Sequence, residues 1–299
     1  MVVFWNHYYH FAHSPHALKA AALDHLGVVV SDLDASARWY GEVLGATPVG
    51  EAYGVGDVRI AFLSREDLEL QRIEYPGRDD GPCRLEANDA GAVHVCIVDR
   101  DLDAAYERLS ALGVEPTTPP SVLLEGTPIR AMYVRDPDRM LVQILELPED
   151  WPHPLGTSDR GVHHVGFTVT DLEASVAWYG RVLGLEAVAW HDNGGEIVSR
   201  MFEVPETEER AALLPTGQTG LEVMVWTKPK GRGYGLRRAD VGAIHLAFAV
   251  DDAEAMHEAL AAESPTPLRT FDQHRAHGRI GFDVADPDGI QIEIIQLPA

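Results

Sequence analysis

The feature that most restricts the fold of this chain is an internal repeat, because a repeat implies that one supersecondary unit is built more than once. Residues 31–46 (SDLDASARWYGEVLGA) and 170–185 (TDLEASVAWYGRVLGL) are identical at ten of sixteen positions. A short β-rich run with a histidine precedes each copy, DHLGVVV from Asp24 and HHVGFTV from His163. The chain therefore consists of two similar halves that arose from one repeated unit.

Each half also contains two similar units. Residues 91–98 (GAVHVCIV) resemble 242–250 (GAIHLAFAV), and both lead into a stretch rich in Ala, Glu and Leu. Residues 132–147 (MYVRDPDRMLVQILEL) resemble 282–297 (FDVADPDGIQIEIIQL). The sequence thus predicts four related modules.

The pattern within a module is a strand, a helix and three further strands. An apolar run predicts the first strand, and the Asp-Leu that follows predicts an N-cap and a helix start. Leu-Gly ends the helix, where Gly45 or Gly184 can adopt the left-handed C′ conformation. Asp-Pro-Asp favours a turn between the last two strands. We predict an α+β fold of four βαβββ modules.

Four segments follow from this pattern. We expect an N-terminal arm rich in aromatic residues and histidine at 1–21, and a first domain of two modules at 22–148. A Pro-rich polar linker is predicted at 149–160 and a second two-module domain at 161–299.

Composition excludes several classes of protein. The formal net charge is −23 with no basic stripe, so nucleic acid would be repelled. No apolar run reaches the ~20 residues that a membrane helix needs, and no secretory signal is evident. Cys83 and Cys96 are the only cysteines, which favours a cytoplasmic location.

Taken together, the His-x-Gly strand, the Asp-Leu…Trp-Tyr…Leu-Gly helix and the Asp-Pro-Asp-Gly-x-x-x-Glu ending resemble the vicinal oxygen chelate superfamily. That superfamily includes glyoxalases, epimerases, extradiol dioxygenases and bleomycin-resistance proteins. The resemblance covers about residues 22–297. It implies two tandem domains with cupped mixed sheets, and a small-molecule substrate that binds a divalent metal through vicinal oxygens.

The resemblance also implies metal ligands on the first and last strands of each module. The second half offers His164, Glu222, His245 and Glu293, and a possible second site in the first half consists of His25, Glu69, His94 and Gln143. Imidazole and carboxylate ligands suit Fe²⁺, Ni²⁺, Co²⁺, Zn²⁺ or Mn²⁺.

The pairing of the modules is open at this point. If neighbouring modules share a cup, the four second-half residues form one site. If modules are exchanged as in fused glyoxalases, His25 and Glu69 join His245 and Glu293. Either arrangement completes two cups in one chain, so we expect a monomer or a homodimer.

The resemblance favours a lyase or isomerase of glyoxalase or epimerase type, in which Glu293 or Glu222 moves a proton next to a carbonyl. One alternative is an Fe²⁺ extradiol-type dioxygenase, although Asp283 stands where those enzymes have Tyr. A second is a small-molecule binder of the bleomycin-resistance type. His274 and His191 are further acid/base candidates, but we expect each to lie in an exposed loop.

Overall fold

The computed structural model describes residues 21–297 except 66–67, 78–80, 124–125, 150, 152–154, 156–160, 218 and 264–279. The predicted N-terminal arm, apart from Ala21, and most of the predicted linker therefore lie outside the described residues. His274 lies outside them as well.

The first half contains two modules. Module 1 comprises β1 (Ala22–Val29), α1 (Leu33–Leu44), β2 (Thr47–Val55), β3 (Val58–Arg65) and β4 (Leu68–Glu74). Module 2 comprises β5 (Val93–Val98), α2 (Leu102–Ala111), β6 (Ser121–Val122), β7 (Arg130–Arg135) and β8 (Leu141–Glu146).

The second half follows this order, with a short helix added in module 3 and three strands given for module 4, where residues 264–279 lie outside the described residues. Module 3 comprises β9 (Gly161–Thr168), α3 (Leu172–Leu183), β10 (Ala189–Gly194), α4 (Glu196–Phe202), β11 (Glu208–Pro215) and β12 (Gly220–Lys228). Module 4 comprises β13 (Ile244–Ala249), α5 (Ala253–Glu263), β14 (Ile280–Ala285) and β15 (Gln291–Gln296). The predicted module pattern is confirmed. Among the helices described, none is long and apolar enough to cross a membrane.

The strands form two mixed sheets that exchange modules between the halves. Sheet A has the order β14-β15-β13-β1-β4-β3-β2, and sheet B has the order β10-β11-β12-β9-β5-β8-β7-β6. Antiparallel pairing of β1 with β13 joins modules 1 and 4, and that of β5 with β9 joins modules 2 and 3. Each predicted two-module domain therefore contributes one module to each sheet.

The helix ends follow the sequence signals. The Asp32 and Asp171 side chains accept hydrogen bonds from the backbone N–H three residues further on. Gly45 and Gly184 end the same two helices with φ of 68°, a left-handed conformation that costs glycine little. These local signals fix where the helices begin and end.

The central strand of each module divides its side chains between two faces. Successive side chains on a strand point to opposite faces. Each of the strands β1, β5, β9 and β13 carries one of the predicted ligand histidines. The residue that follows this histidine is fully or almost fully buried in one shared apolar core, namely Leu26, Val95, Val165 and Leu246. The histidines therefore lie on the opposite face, where the candidate site is found.

Two equivalent tyrosine–aspartate hydrogen bonds join the sheets. Tyr40 of module 1 donates its hydroxyl to Asp136 of module 2 at 3.0 Å. Tyr179 of module 3 donates to Asp286 of module 4 at the same distance. Both tyrosines are fully buried. Because each bond crosses from one sheet to the other, the Asp-Pro-Asp turns fasten together modules that do not share a sheet.

We expect Tyr179→Phe to destabilise the chain by about 1–3 kcal/mol, because the buried Asp286 carboxyl loses its hydroxyl donor. Urea unfolding measures this loss, and Tyr106→Phe at a partly exposed position is the matched control. Equal unfolding midpoints for the two variants would show that the bond contributes little to the contact between modules 3 and 4.

Candidate metal centres

Three donor residues converge at the centre of sheet A. His25 on β1 and His245 on β13 approach with their Nε2 atoms 3.2 Å apart. The Glu293 Oε2 atom, on β15, lies 3.5 Å from His25 Nε2 and 3.3 Å from His245 Nε2. All three residues are buried. We refer to His25, His245 and Glu293 as site A.

Sheet B repeats this arrangement. His94 on β5 and His164 on β9 have their Nε2 atoms 3.0 Å apart. The Glu222 Oε2 atom, on β12, lies 3.3 Å from each of these nitrogens. We refer to His94, His164 and Glu222 as site B.

The spacing of the donor atoms fits a shared divalent metal. Ligand atoms bound at about 2.0–2.2 Å to one ion lie about 3.0–3.5 Å apart in octahedral or tetrahedral geometry. The edges of the two donor triangles range from 3.0 to 3.5 Å. Two imidazoles and a carboxylate suit first-row divalent metals. Each site could therefore hold such an ion.

The structure does not bring His164, Glu222, His245 and Glu293 together in one site, as pairing of neighbouring modules would have done. The structure places the first two in sheet B and the last two in sheet A. The reason is that β9 pairs with β5 rather than with β13. The exchanged pairing, which the sequence left open, is the one found.

Each sheet contains the last strand of two modules, and each of these strands has one position that corresponds to Glu222. In each sheet one such position holds a glutamate and the other holds a glutamine. Glu222 pairs in register with Gly166, and the equivalent pair in module 1 is Gln71 with Gly27. The predicted ligand Glu69 lies two residues earlier, in register with His25, and the structure does not bring it into site A.

Gln143 in module 2 matches the predicted position, in register with Cys96 beside site B. The four equivalent positions of each sheet thus hold two histidines, one glutamate and one glutamine. Sequence comparison missed Gln71 because the Leu-Glu dipeptide of module 1 (68–69) resembles that of module 3 (221–222).

A β-bulge adds one residue to each site. The register shifts between Leu23 and His25, so that Asp24 is the extra residue, and its Oδ2 lies 2.8 Å from His25 Nδ1. The equivalent bulge in β9 makes His163 the extra residue, with its Nδ1 2.8 Å from His164 Nδ1. Bulges commonly re-aim side chains at functional sites, and no sequence pattern announces these two.

The two sites differ electrostatically. Burial lowers the pKa of His25, but Asp24 and Glu293 outweigh burial and hold it above its usual value. Burial also lowers the pKa of His94, and there it prevails. Burial raises the pKa of Glu222, yet the charge and hydrogen bonds of the surrounding imidazoles, His164 foremost, hold it well below its usual range. Glu222 is therefore an ionised carboxylate that can bind a metal.

His191 lies next to site B and contacts its glutamate. Its Nε2 atom lies 3.1 Å from Glu222 Oε1, and its side chain is 13% exposed on β10. The prediction that His191 lies in an exposed loop was therefore wrong. Close by, Asn193 donates to Glu209 at 2.6 Å, and burial raises the pKa of Glu209 to about 7.

Comparisons with known proteins agree with this architecture. The family model described as Glyoxalase/Bleomycin resistance protein/Dioxygenase superfamily matches residues 22–144 and 161–294. Lactoylglutathione lyase of Schizosaccharomyces pombe is 25% identical over 92% of this chain and 96% of its own.

Two further relatives show the extent of the likeness. A 2-epi-5-epi-valiolone epimerase of Actinomyces sp is 34% identical over 46% of this chain and 80% of its own. The crystal structure of glyoxalase I from Zea mays has a TM-score of 0.70 at 18% identity, over 93% of this chain and 92% of that one.

Gly27 and Gly166 each face the imidazole of a site histidine. A Cβ atom on Gly27 would lie 1.8 Å from His245 Cε1, and one on Gly166 would lie 2.0 Å from His94 Cε1. We expect Gly27→Ala to displace His245 and lower the metal content of site A alone, and Gly166→Ala to do the same at site B.

Elemental analysis of the purified variants measures this effect. Gly233→Ala is the control, because a Cβ there meets nothing within 4 Å. Full metal content in both site variants would show that the imidazoles need not occupy the positions described.

Proposed function

We propose that this chain, which belongs to the Glyoxalase/Bleomycin resistance protein/Dioxygenase superfamily, is a divalent-metal-dependent isomerase or lyase. Its substrate is a small molecule that presents two neighbouring oxygens, one of them a carbonyl. The reaction moves a proton at the carbon next to that carbonyl. The observation that carries this proposal is the triangle of two imidazoles and one carboxylate in each sheet.

The residues of each site divide the work. The imidazole pairs, His25 with His245 and His94 with His164, supply neutral nitrogen ligands. A bound divalent metal would polarise the substrate oxygens and stabilise the negative charge that develops when the carbon loses its proton. Glu293 in site A and Glu222 in site B are the carboxylates that accept this proton and return it.

The surroundings of the carboxylates support this role. Both glutamates are buried, so bulk water does not compete for the proton. Oxygen Oε1 of Glu222 contacts His191, which can hold the carboxylate in place while Oε2 faces the metal-binding nitrogens.

The named relatives support proton transfer and indicate the substrate class. One is a lactoylglutathione lyase that matches nearly the whole chain, and another is an epimerase that matches about half of it. We therefore propose α-hydroxycarbonyl compounds or thioesters as substrates. A binding protein of the bleomycin-resistance type is disfavoured, because binding alone does not require two matched sets of buried donors.

One observation favours a second candidate function. Each site has two histidines and a single carboxylate, which is the ligand set of non-haem Fe²⁺ oxygenases. A second carboxylate in one site would have argued against oxygenase chemistry, but Glu222 and Glu293 lie in different sheets. An Fe²⁺ ring-cleaving dioxygenase is thus the alternative to test.

We expect Glu293→Gln and Glu222→Gln to identify the catalytic site. Glutamine keeps an oxygen ligand but cannot accept the proton, so exchange of the substrate's α-proton with deuterated water should fall roughly 10²–10⁴-fold at a site that depends on it. Proton NMR of candidate α-hydroxycarbonyl and thioester substrates measures the exchange. Because Gln71 and Gln143 already stand at equivalent positions, both variants should fold.

The controls are the metal content of each variant and the double variant. Full exchange in the double variant would exclude both glutamates as the base.

For the alternative, anaerobic purification should yield iron, and a catechol should then cause O₂ uptake. Iron with O₂ uptake and without proton exchange would replace the proposed function by the dioxygenase.

A further inference from the structure

A second group of candidate metal-binding residues shares His164 with site B. One donor atom each from Cys96, His163 and His164 lies within 4.8 Å of the other two, and all three residues are buried. The His164 Nδ1 atom is 2.8 Å from His163 Nδ1, whereas its Nε2 atom faces His94 and Glu222. The two ring nitrogens of His164 thus face different sets of donors.

Sheet A provides an internal comparison. At the bulge, Asp24 takes the place of His163 and accepts a hydrogen bond from His25 Nδ1. Across the strand pair, Ala247 takes the place of Cys96, since each lies in register with the neighbouring site histidine. Two adjacent positions that carry a carboxylate and an alanine in sheet A therefore carry an imidazole and a thiol in sheet B.

A third observation lies on the adjacent strand. Gln143 on β8 pairs in register with Cys96 and is only 2% exposed. Its Oε1 atom is buried and has no hydrogen bond of normal geometry among the described residues, although the Gln143 side chain interacts with His94 and raises the pKa of that imidazole. An unsatisfied buried acceptor is costly unless something binds it. This amide oxygen is thus available to an ion bound in this part of sheet B.

We propose that Cys96, His163 and His164 form a second metal site in sheet B, which shares only His164 with site B. One thiolate and two imidazoles suit a borderline-soft divalent ion such as Zn²⁺, for which Co²⁺ is a spectroscopic substitute. Binding displaces the Cys96 thiol proton to solvent. If site B were also filled, His164 would be shared by the two sites and its ring proton would have to be released to solvent.

Packing is the competing explanation. Cys96 belongs to an apolar cluster that also contains Tyr133, Phe202 and Trp226. A buried cysteine often acts only as a small apolar side chain. Under that explanation the His163–His164 contact is a hydrogen bond between neutral rings, and the thiol never binds a metal.

The test is a Co²⁺ titration of the full chain without oxygen, followed by its near-ultraviolet thiolate-to-cobalt charge-transfer absorption. We expect this band in the parent chain and in Cys83→Ala, and its loss in Cys96→Ala together with one bound Co²⁺. His163→Asp, which replaces an imidazole ligand by a carboxylate, should shift or weaken the band. Cys83→Ala is a matched control because the chain has two cysteines.

Cys96→Ala and His163→Asp should fold, because sheet A carries alanine and aspartate at the equivalent positions. Circular dichroism and thermal melting verify this. His94→Ala separates the new site from site B, because His94 contacts only the Nε2 side of His164, and the band should persist.

Three outcomes would overturn the proposal: no band in the parent, a band that survives Cys96→Ala, or a band lost in His94→Ala. The last would assign Cys96 to site B. The absorption does not depend on turnover, so failure here is distinct from failure of the proposed isomerase or lyase activity.

Discussion

The architecture depends on two antiparallel strand pairs in which a glycine lies opposite a histidine. Gly27 is in register with His245, and Gly166 is in register with His94. A Cβ atom at either glycine would overlap the facing imidazole, so only glycine allows the ring to lie against the neighbouring strand. This close approach brings the two Nε2 atoms of each sheet within about 3 Å. The donor triangles follow from it.

The same pairing makes each site a product of both halves of the chain. Site A takes His25 from the first module and His245 and Glu293 from the last, across 220 residues of separation between the histidines. The tyrosine–aspartate bonds then fasten each sheet to the other. Neither half can complete a site alone, although each half carries all the local signals of the fold. Long-range assembly is therefore required to form either donor triangle.

The two sites share a ligand pattern but have diverged around it. Site A has a carboxylate, Asp24, against the outer nitrogen of its histidine, which is the usual support for a metal-bound imidazole. Site B has His163 there, with Cys96 and His191 close by. Because outer groups tune metal affinity and the basicity of the ligands, duplicated sites with such different surroundings are expected to differ in metal and in activity.

The sequence predicted local structure well and long-range pairing poorly, for physical reasons. Helix caps at Asp32 and Gly45 act over a few residues, so their signals were sufficient. Which strand pairs with β9 depends on tertiary packing. The candidates β5 and β13 belong to repeated modules and are similar in sequence, so local signals do not distinguish them.

The remaining misses have specific causes. A two-residue error put Glu69 in the place of Gln71, because both residues suit the same face of β4. Bulges at Asp24 and His163 have no sequence signature, so the groups that distinguish the two sites could not be foreseen.

Anomalous diffraction from crystals of the full chain grown with Co²⁺ tests both donor triangles at once. We expect one peak bounded by His25, His245 and Glu293 and another bounded by His94, His164 and Glu222. A peak shared by His164, Glu222, His245 and Glu293, or no peak at either triangle, would contradict this expectation.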